Sequence, residues 1–439
     1  MVSAQFFIST IVIGVIANTM LGATAYLIFL ERKVASWAQD RIGPNRTNFS
    51  FGQGDLLEKV PGLRLLSTTK CFGLGQALAD GVKLLLKEDY TPPFVDRTLF
   101  VLGPALAVIP ALIGWAVIPW GGTIVFPGLE LFGVELVREG VARVAVLDIG
   151  VGVVYILAIG SLAVYGVVLG AYASNNKFSF LGGLRATAQM LSYEIPMGIC
   201  VLIMILMFKS ADTELMTRAQ VGDQWIEPAT AWGIFAHPLL ACIFFTCLLA
   251  EANRAPFDLA EAEQELVGGF HTEYSSMKWA MFFLGEYMHM ITGAAFFAVL
   301  FLGGWDPVPF LNVLPVVADD GLLATLLAVF IKFNVFVGKV AFLLFLMMWI
   351  RWTLPRFRFD QLMKLAWRGM IPLTLVMLLV VGFMVYYRVE GWWWYTAANL
   401  GVAVFGALVG PMLPRGPKVN RKVKLEGSRF SPLPEPAGA

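Results

Sequence analysis

Stretches of about twenty predominantly apolar residues recur along this 439-residue chain, and that is the length a helix needs to cross about 30 Å of hydrocarbon. In lipid every backbone polar group must be satisfied within the segment, so such stretches are read as spanning helices. Nine are found, at 5–30, 98–118, 146–171, 188–208, 235–251, 279–303, 323–350, 371–388 and 391–411. The fifth is the shortest, and the last two are joined by a very tight link. Only 14% of the residues are charged and 58% are hydrophobic, against about 25% and about 45–50% in soluble domains. That excludes an ordinary soluble enzyme, and a chain this apolar is not disordered. A net charge of +1 supplies no basic field for nucleic acid. The expected fold is an all-α polytopic membrane protein with about nine transmembrane helices.

Cys71, Cys200, Cys242 and Cys247 form no C-x-x-C pair, and His237, His271 and His289 are scattered. No metal or redox centre of the chain's own is therefore expected. The N-terminus runs into apolar sequence with no basic region before it, so no cleavable signal is expected.

Lys and Arg set the orientation, because cytoplasmic loops carry the excess. The loops 31–97, 172–187, 252–278 and 351–370 with the tail 412–439 hold 25, and the opposite set holds 5. The N-terminus is placed outside and the tail inside a cytoplasmic membrane. Loops 31–97, 252–278 and 351–370 are long and charged, which suggests docking of a soluble partner on that face. The tail, RGPKVNRKVK followed by SPLPEPAGA, reads as a basic anchor on anionic lipid followed by disorder.

Ionisable groups inside spans are costly and are functional candidates. Glu194 and Glu286 lie at matched depths, roughly 10 Å below the inner surface at 1.5 Å per residue. Pro196, two residues after Glu194, removes one helical hydrogen bond. Lys332 and Lys339 are seven apart and share a face of the seventh span; they read as a proton relay or as counter-ions, with snorkelling as the structural alternative. The densest acidic run, Glu251 to Glu265, carries Asp258, Glu261, Glu263 and Glu265. If helical, Asp258, Glu261 and Glu265 share one face and titrate as a unit. With Glu194, Glu273 and Glu286 they form a candidate chain of carboxylates leading inward; an acidic solvated loop is the plain alternative. Residues 76–89 place Leu78, Val82, Leu85 and Leu86 on one side and Asp80, Lys83 and Lys87 on the other. That pattern is an interfacial amphipathic helix, a lipid anchor or the edge of a portal for a lipid-like substrate beside Arg32 and Trp37.

Several long motifs carry a family resemblance: ERKVASWAQDRIGPNR at 31–46, LLLKEDYTPP at 84–93, LGGLRATAQMLSYEIP at 181–196, EANRAPFDLAEAEQELVGGFHTEYSSMKW at 251–279 and IRWTLPRFRFDQLM at 350–363. They resemble, in order and from about residue 5 to 388, the H-type membrane subunit (subunit 1) of respiratory complex I, the proton-pumping NADH–quinone oxidoreductase. The resemblance implies a heel subunit that joins the peripheral redox arm to the membrane arm and forms much of the quinone chamber. It places Glu31, Arg32, Trp37, Arg41, Asp80, Lys83, Arg254 and Arg351 near the quinone path. It places Glu194, Glu251, Asp258, Glu261, Glu263, Glu265, Glu273 and Glu286 on a proton channel below it. Quinone is then a substrate, while FMN and iron–sulfur clusters belong to partner subunits. The implied partners are the iron–sulfur and quinone-site subunits of the peripheral arm, small membrane subunits and antiporter-like subunits. The family core has eight spans, so residues 1–390 read as that core, 391–411 as an extra C-terminal span and 412–439 as a separate basic tail. Two other readings stay open. One is the homologous membrane component of an energy-converting hydrogenase or ferredoxin-linked complex. The other is a stand-alone cation/proton transporter, against which stand the large loops and the absence of a visible inverted repeat.

Overall fold

A computed structural model describes residues 3–47, 73–126, 129–131, 134–137, 139–221, 232–259, 266–309 and 322–410. The chain is a bundle of long helices. Ser3 caps α1 (Ala4–Ala38), its hydroxyl accepting from the Phe6 amide at 3.3 Å. The amphipathic helix α2 (Gly75–Leu86) follows. Asp96 caps α3 (Arg97–Ile113) by accepting from the amides of Thr98 and Leu99, and one 3₁₀ turn, Gly114–Val117, extends it. Beyond it, β1 (Thr123–Phe126) pairs with β4 (Gly140–Arg143), and β2 (Leu129–Leu131) with β3 (Val134–Val137), all antiparallel. These short hairpins were not anticipated from the sequence.

The chain then crosses back as α4 (Gly152–Ala173) and returns as α5 (Lys177–Phe208), which is capped by Asn176 and runs through Pro196 without a break. Between them α3 and α4 approach at backbone distance. A Cβ on Gly166 would sit 2.6 Å from the Ala107 nitrogen, the close contact small residues allow between membrane helices. Next come α6 (Thr213–Val221), the single turn α7 (Gly233–Ala236), α8 (Pro238–Glu251) and α9 (Ser276–Phe301). The bundle closes with α10 (Leu322–Thr353), α11 (Phe359–Lys364), a π turn at Leu365–Met370, α12 (Ile371–Tyr386) and α13 (Trp392–Val409).

All nine apolar stretches are helical. Among the described residues seven helices are long and apolar enough to cross a membrane, and Pro238–Glu251 is a shorter apolar one. The ninth stretch forms the 18-residue α13. Helix α1 runs eight residues past the expected end at 30, so Glu31, Arg32 and Trp37 lie on a helix rather than in a loop.

The connections fall on two faces. On one, Thr213 Oγ1 donates to the Val117 carbonyl at 2.6 Å, Arg218 reaches Thr123, and Gln220 reaches the Val299 carbonyl. There burial pushes the Glu214 carboxyl up, against the pull of Arg218. On the other, basic face, Ser276 Oγ ties the carbonyls of Leu84 and Lys87, and the Phe357 amide donates to the Pro256 carbonyl. This alternation is the one counted from the apolar stretches.

Candidate functional site

The basic face holds a buried charge cluster built from four distant parts of the chain. Glu31, 7% exposed, comes from the last third of α1. It accepts hydrogen bonds from Tyr287 Oη of α9 and from Arg351 Nη1 of α10. Arg254, 3% exposed, follows α8 and places its guanidinium 3.7 Å from Glu31 and 3.4 Å from Glu286. It also lies 4.3 Å from the Tyr287 ring centre and 5.8 Å from that of Phe283, a stack that an arginine makes and a lysine ammonium does not. Among the described residues two carboxylates thus face two guanidinium groups, the mutual pairing that buried charges need where water is excluded.

Three expected quinone-path residues, Glu31, Arg254 and Arg351, are therefore brought together with one expected channel residue, Glu286. Arg32 sits on the neighbouring face of α1 and holds Asp80 of α2 at 2.8 Å. Gln76 also reaches Asp80, at 2.9 Å. This pair fixes the amphipathic helix against α1, with Leu78, Leu85 and Leu86 exposed. Trp37 is exposed at the end of α1 and lines an apolar cavity of about 250 Å³ between α1 and α10, together with Tyr26, Leu30, Phe345 and Met348. Arg41 and Lys83 are exposed and stand apart from the cluster.

The carboxylates divide. Glu251 ends α8 and its Oε1 lies 3.1 Å from His289 Nε2. Glu194 of α5 is near enough to Glu251 for their charges to repel, and among the described residues it makes no hydrogen bond or ion pair. Asp258 is buried and holds Arg356 at 2.8 Å. Glu273 lies further out, accepting from the Asn176 amide at 2.6 Å. Beside it Tyr274 donates to the Phe100 and Gly170 carbonyls, and burial pushes its phenol up. Glu261, Glu263 and Glu265 lie outside the described residues.

Lys332 and Lys339 do share one face of α10, and both reach toward the face opposite the cluster. Lys339 Nζ donates to the carbonyls of Leu302, Gly304 and Asp306 and sits 4.0 Å from the Trp232 ring centre. Lys332, 1% exposed, lies 4.4 Å from the Trp305 ring centre. The turn at 302–306 folds down onto Lys339, which spares the lysine from reaching the surface. The sequence reading missed Tyr287, His289 and Arg356. Arg356 lies within the motif at 350–363 that carries the resemblance, but nothing in the spacing joined any of the three to a carboxylate. Among the described residues no group of three or more His, Cys, Asp or Glu is placed to hold a metal ion.

These features define a class: a polytopic membrane protein with a buried cluster of paired charges near its basic face and further carboxylates on the neighbouring helices. The family described as NADH dehydrogenase matches residues 11–382. Curated relatives agree. The H subunit of the NADH-quinone oxidoreductase of Flavobacterium johnsoniae is 39% identical over 375 residues, 85% of this chain and 93% of that protein. The first of the numbered H subunits of Geobacter sulfurreducens is 40% identical over 370 residues, 83% of this chain and 91% of its own. The H subunit of Leptospira biflexa is 41% identical over 377 residues, 85% and 93% respectively. The chain belongs to the NADH dehydrogenase family, and within it resembles these H subunits. Helix α13 lies beyond the matched residues.

Proposed function

We propose that this chain is the membrane heel subunit of a proton-pumping NADH–quinone oxidoreductase, and that it couples quinone reduction to proton movement without redox chemistry of its own. The observation that carries this reading is Arg254. One buried guanidinium bridges Glu31, on the helix that holds the amphipathic α2, and Glu286, on the helix that leads to Glu251. A change of charge at the α1 side is thereby felt at the carboxylates.

In this reading the quinone approaches along the basic face beside Arg32, Trp37, Arg41, Asp80 and Lys83. Its apolar tail suits the cavity between α1 and α10, whose lining is aliphatic and aromatic. Electrons come from a partner subunit that carries the iron–sulfur clusters, and FMN lies further up the same peripheral arm. Reduction changes the charge next to Glu31, Arg254 and Arg351. Asp258, Glu261, Glu263, Glu265 and Glu273 carry the response on the face where the soluble arm docks, and Glu286, Glu251 and Glu194 carry it inward. Small membrane subunits and antiporter-like subunits receive it. Residues 1–390 form this core; α13 and the basic tail are additions, the tail facing anionic lipid. The basic face is cytoplasmic in a bacterial inner membrane and the N-terminus lies outside.

Glu194→Gln and Glu251→Gln test the reading. Each keeps shape and hydrogen bonding but cannot exchange a proton. In membranes holding the assembled complex, quinone-linked NADH oxidation should fall while oxidation by an artificial acceptor, which needs no quinone, persists. Unchanged quinone-linked rates in both variants would sink the proposal. A native gel separates the rivals. A large NADH-active band containing this chain supports complex I, and comigration with a hydrogenase redirects it. Ion movement by the chain purified alone would make it a transporter.

A further inference from the structure

Among the described residues, His289 pairs with a carboxylate. Its Nε2 lies 3.1 Å from Glu251 Oε1, and two small cavities meet at the pair. One, about 40 Å³, is lined by Glu251, His289, Glu286 and Asn253, closed by Met190 and Phe270. The other, about 30 Å³, shares Glu251 and His289 and continues past Gly114, Gly160 and Thr292. Each has room for a water molecule. Glu286, His289 and Thr292 follow one another at three-residue steps on α9, about 4.5 Å apiece along the axis. The pair therefore divides a cavity on the Glu286 side from one that lies nearer the opposite face.

The surroundings favour proton exchange over a fixed ion pair. Glu194 of α5 repels Glu251, Cys247 lies on the preceding turn of α8, and Glu286 is held on its other side by Arg254. On α4, a Cβ added at Gly160 would lie 3.3 Å from Glu251 Oε1 and 3.6 Å from His289 Cε1, so bare backbone faces the pair and any side chain there would crowd it. An imidazole is the side chain whose ordinary titration falls nearest neutral pH. Coupled to a carboxylate, it makes a site that gains and loses one proton as a unit.

We propose that His289 is the proton-exchanging partner of Glu251 on the carboxylate path. A proton taken up from water on the Glu286 side resides on Nε2 and gives an imidazolium beside the carboxylate. Its release to water on the Thr292 side restores the neutral imidazole. One proton enters and one leaves. This rests on the reading that these carboxylates carry protons, so the experiment must separate the two.

The test uses the complete complex in proteoliposomes, with NADH-driven quinone reduction and proton uptake followed from about pH 6 to about pH 9, the range an imidazole spans. His289→Gln keeps a hydrogen-bond donor but cannot take a proton. It should slow both rates about a hundredfold at neutral pH, the scale of a lost acid–base group. It should also remove one ionisation from the rate–pH profile, and His289→Ala should do the same. If Gln restores the wild-type rate and profile while Ala does not, His289 only positions Glu251 and the proposal falls. It falls also if neither variant changes anything. Glu251→Gln is run alongside. A slow Glu251→Gln with a wild-type His289→Gln overturns this inference alone, whereas an unchanged Glu251→Gln overturns the carboxylate path itself. Should His289→Gln fail to assemble, Gly160→Ala carries the test. Its methyl presses on the pair and alters no titratable group, so a shifted pH profile is expected and an unchanged one overturns the proposal.

Discussion

A guanidinium sealed at 3% exposure between two carboxylates is a balance that one substitution upsets. Arg254→Met would leave Glu31 and Glu286 buried with less positive charge between them, and breaking such a pair costs about 3–5 kcal/mol. We expect a lower thermal midpoint of the assembled complex and less of it on a native gel. Combining Arg254→Met with Glu286→Gln should recover part of the loss, because one of the two carboxylates that faced the lost guanidinium is neutralised. A single variant as stable as the wild type would mean that water reaches the cluster. Glu286 was legible in the sequence as a charge inside an apolar stretch, whereas Glu31, Arg254 and Arg351 lie just outside the stretches and were marked only by the resemblance to the family. Which group pairs with which was not legible. Tyr287 and Arg351 lie 256 and 320 positions from Glu31, and only the packing of α1 against α9 and α10 brings them together. His289 was unreadable for the same reason, since its carboxylate sits on another helix. Lys339 meets the same limit. An ammonium deep in a span reads as a relay or a counter-ion, and no spacing in the sequence joins it to the three backbone carbonyls at 302–306 that accept from it.

Among the elements, α13 is the addition outside the family match, and it is held by polar contacts inside apolar surroundings. Asn399, fully buried, donates to the Ala236 carbonyl of α7 at 3.4 Å and lies 2.7 Å from His237 Nδ1. Thr396 Oγ1 donates to the Phe235 carbonyl at 2.6 Å. Such interhelical bonds are worth about 0.6 kcal/mol each and up to about 1.7 kcal/mol in membranes. Asn399→Leu should therefore lower the thermal midpoint slightly and let α13 loosen from α7 and α8, read as faster proteolysis after residue 388. Quinone-linked activity should persist, because the charge cluster lies on other helices. A large loss of activity would tie α13 to the coupling path. At this scale the sequence was most legible. Every apolar stretch is a helix, because a lipid-facing backbone has no other way to satisfy itself. The errors are at the ends, where polar residues continue a helix beyond the bilayer, as in α1. The hairpins between α3 and α4 were missed because strands of three or four residues are too short to display an alternation.

At the scale of the whole molecule, the alternation of helices sets two faces against each other, and the unequal count of Lys and Arg predicts that the basic one is cytoplasmic. Glu139 is exposed beside the β1–β4 hairpin and Lys87 is exposed just after α2. A cysteine at either position gives a direct measurement with a membrane-impermeant maleimide. In intact cells with a permeable outer layer, Glu139→Cys should react and Lys87→Cys should not. After the inner membrane is opened, Lys87→Cys should react slowly while the peripheral arm stays in place, and faster once that arm is stripped away. The native thiols supply the background, with Cys242 the exposed one among the described cysteines. The reverse pattern would invert the orientation and put the Glu31–Arg254 cluster on the side away from NADH. If Lys87→Cys reacted at one rate with and without the arm, the charged loops would not be the docking face. The buried cluster would then open toward bulk water instead of toward a partner that delivers electrons, and its balance of charges would have no reduced quinone to answer.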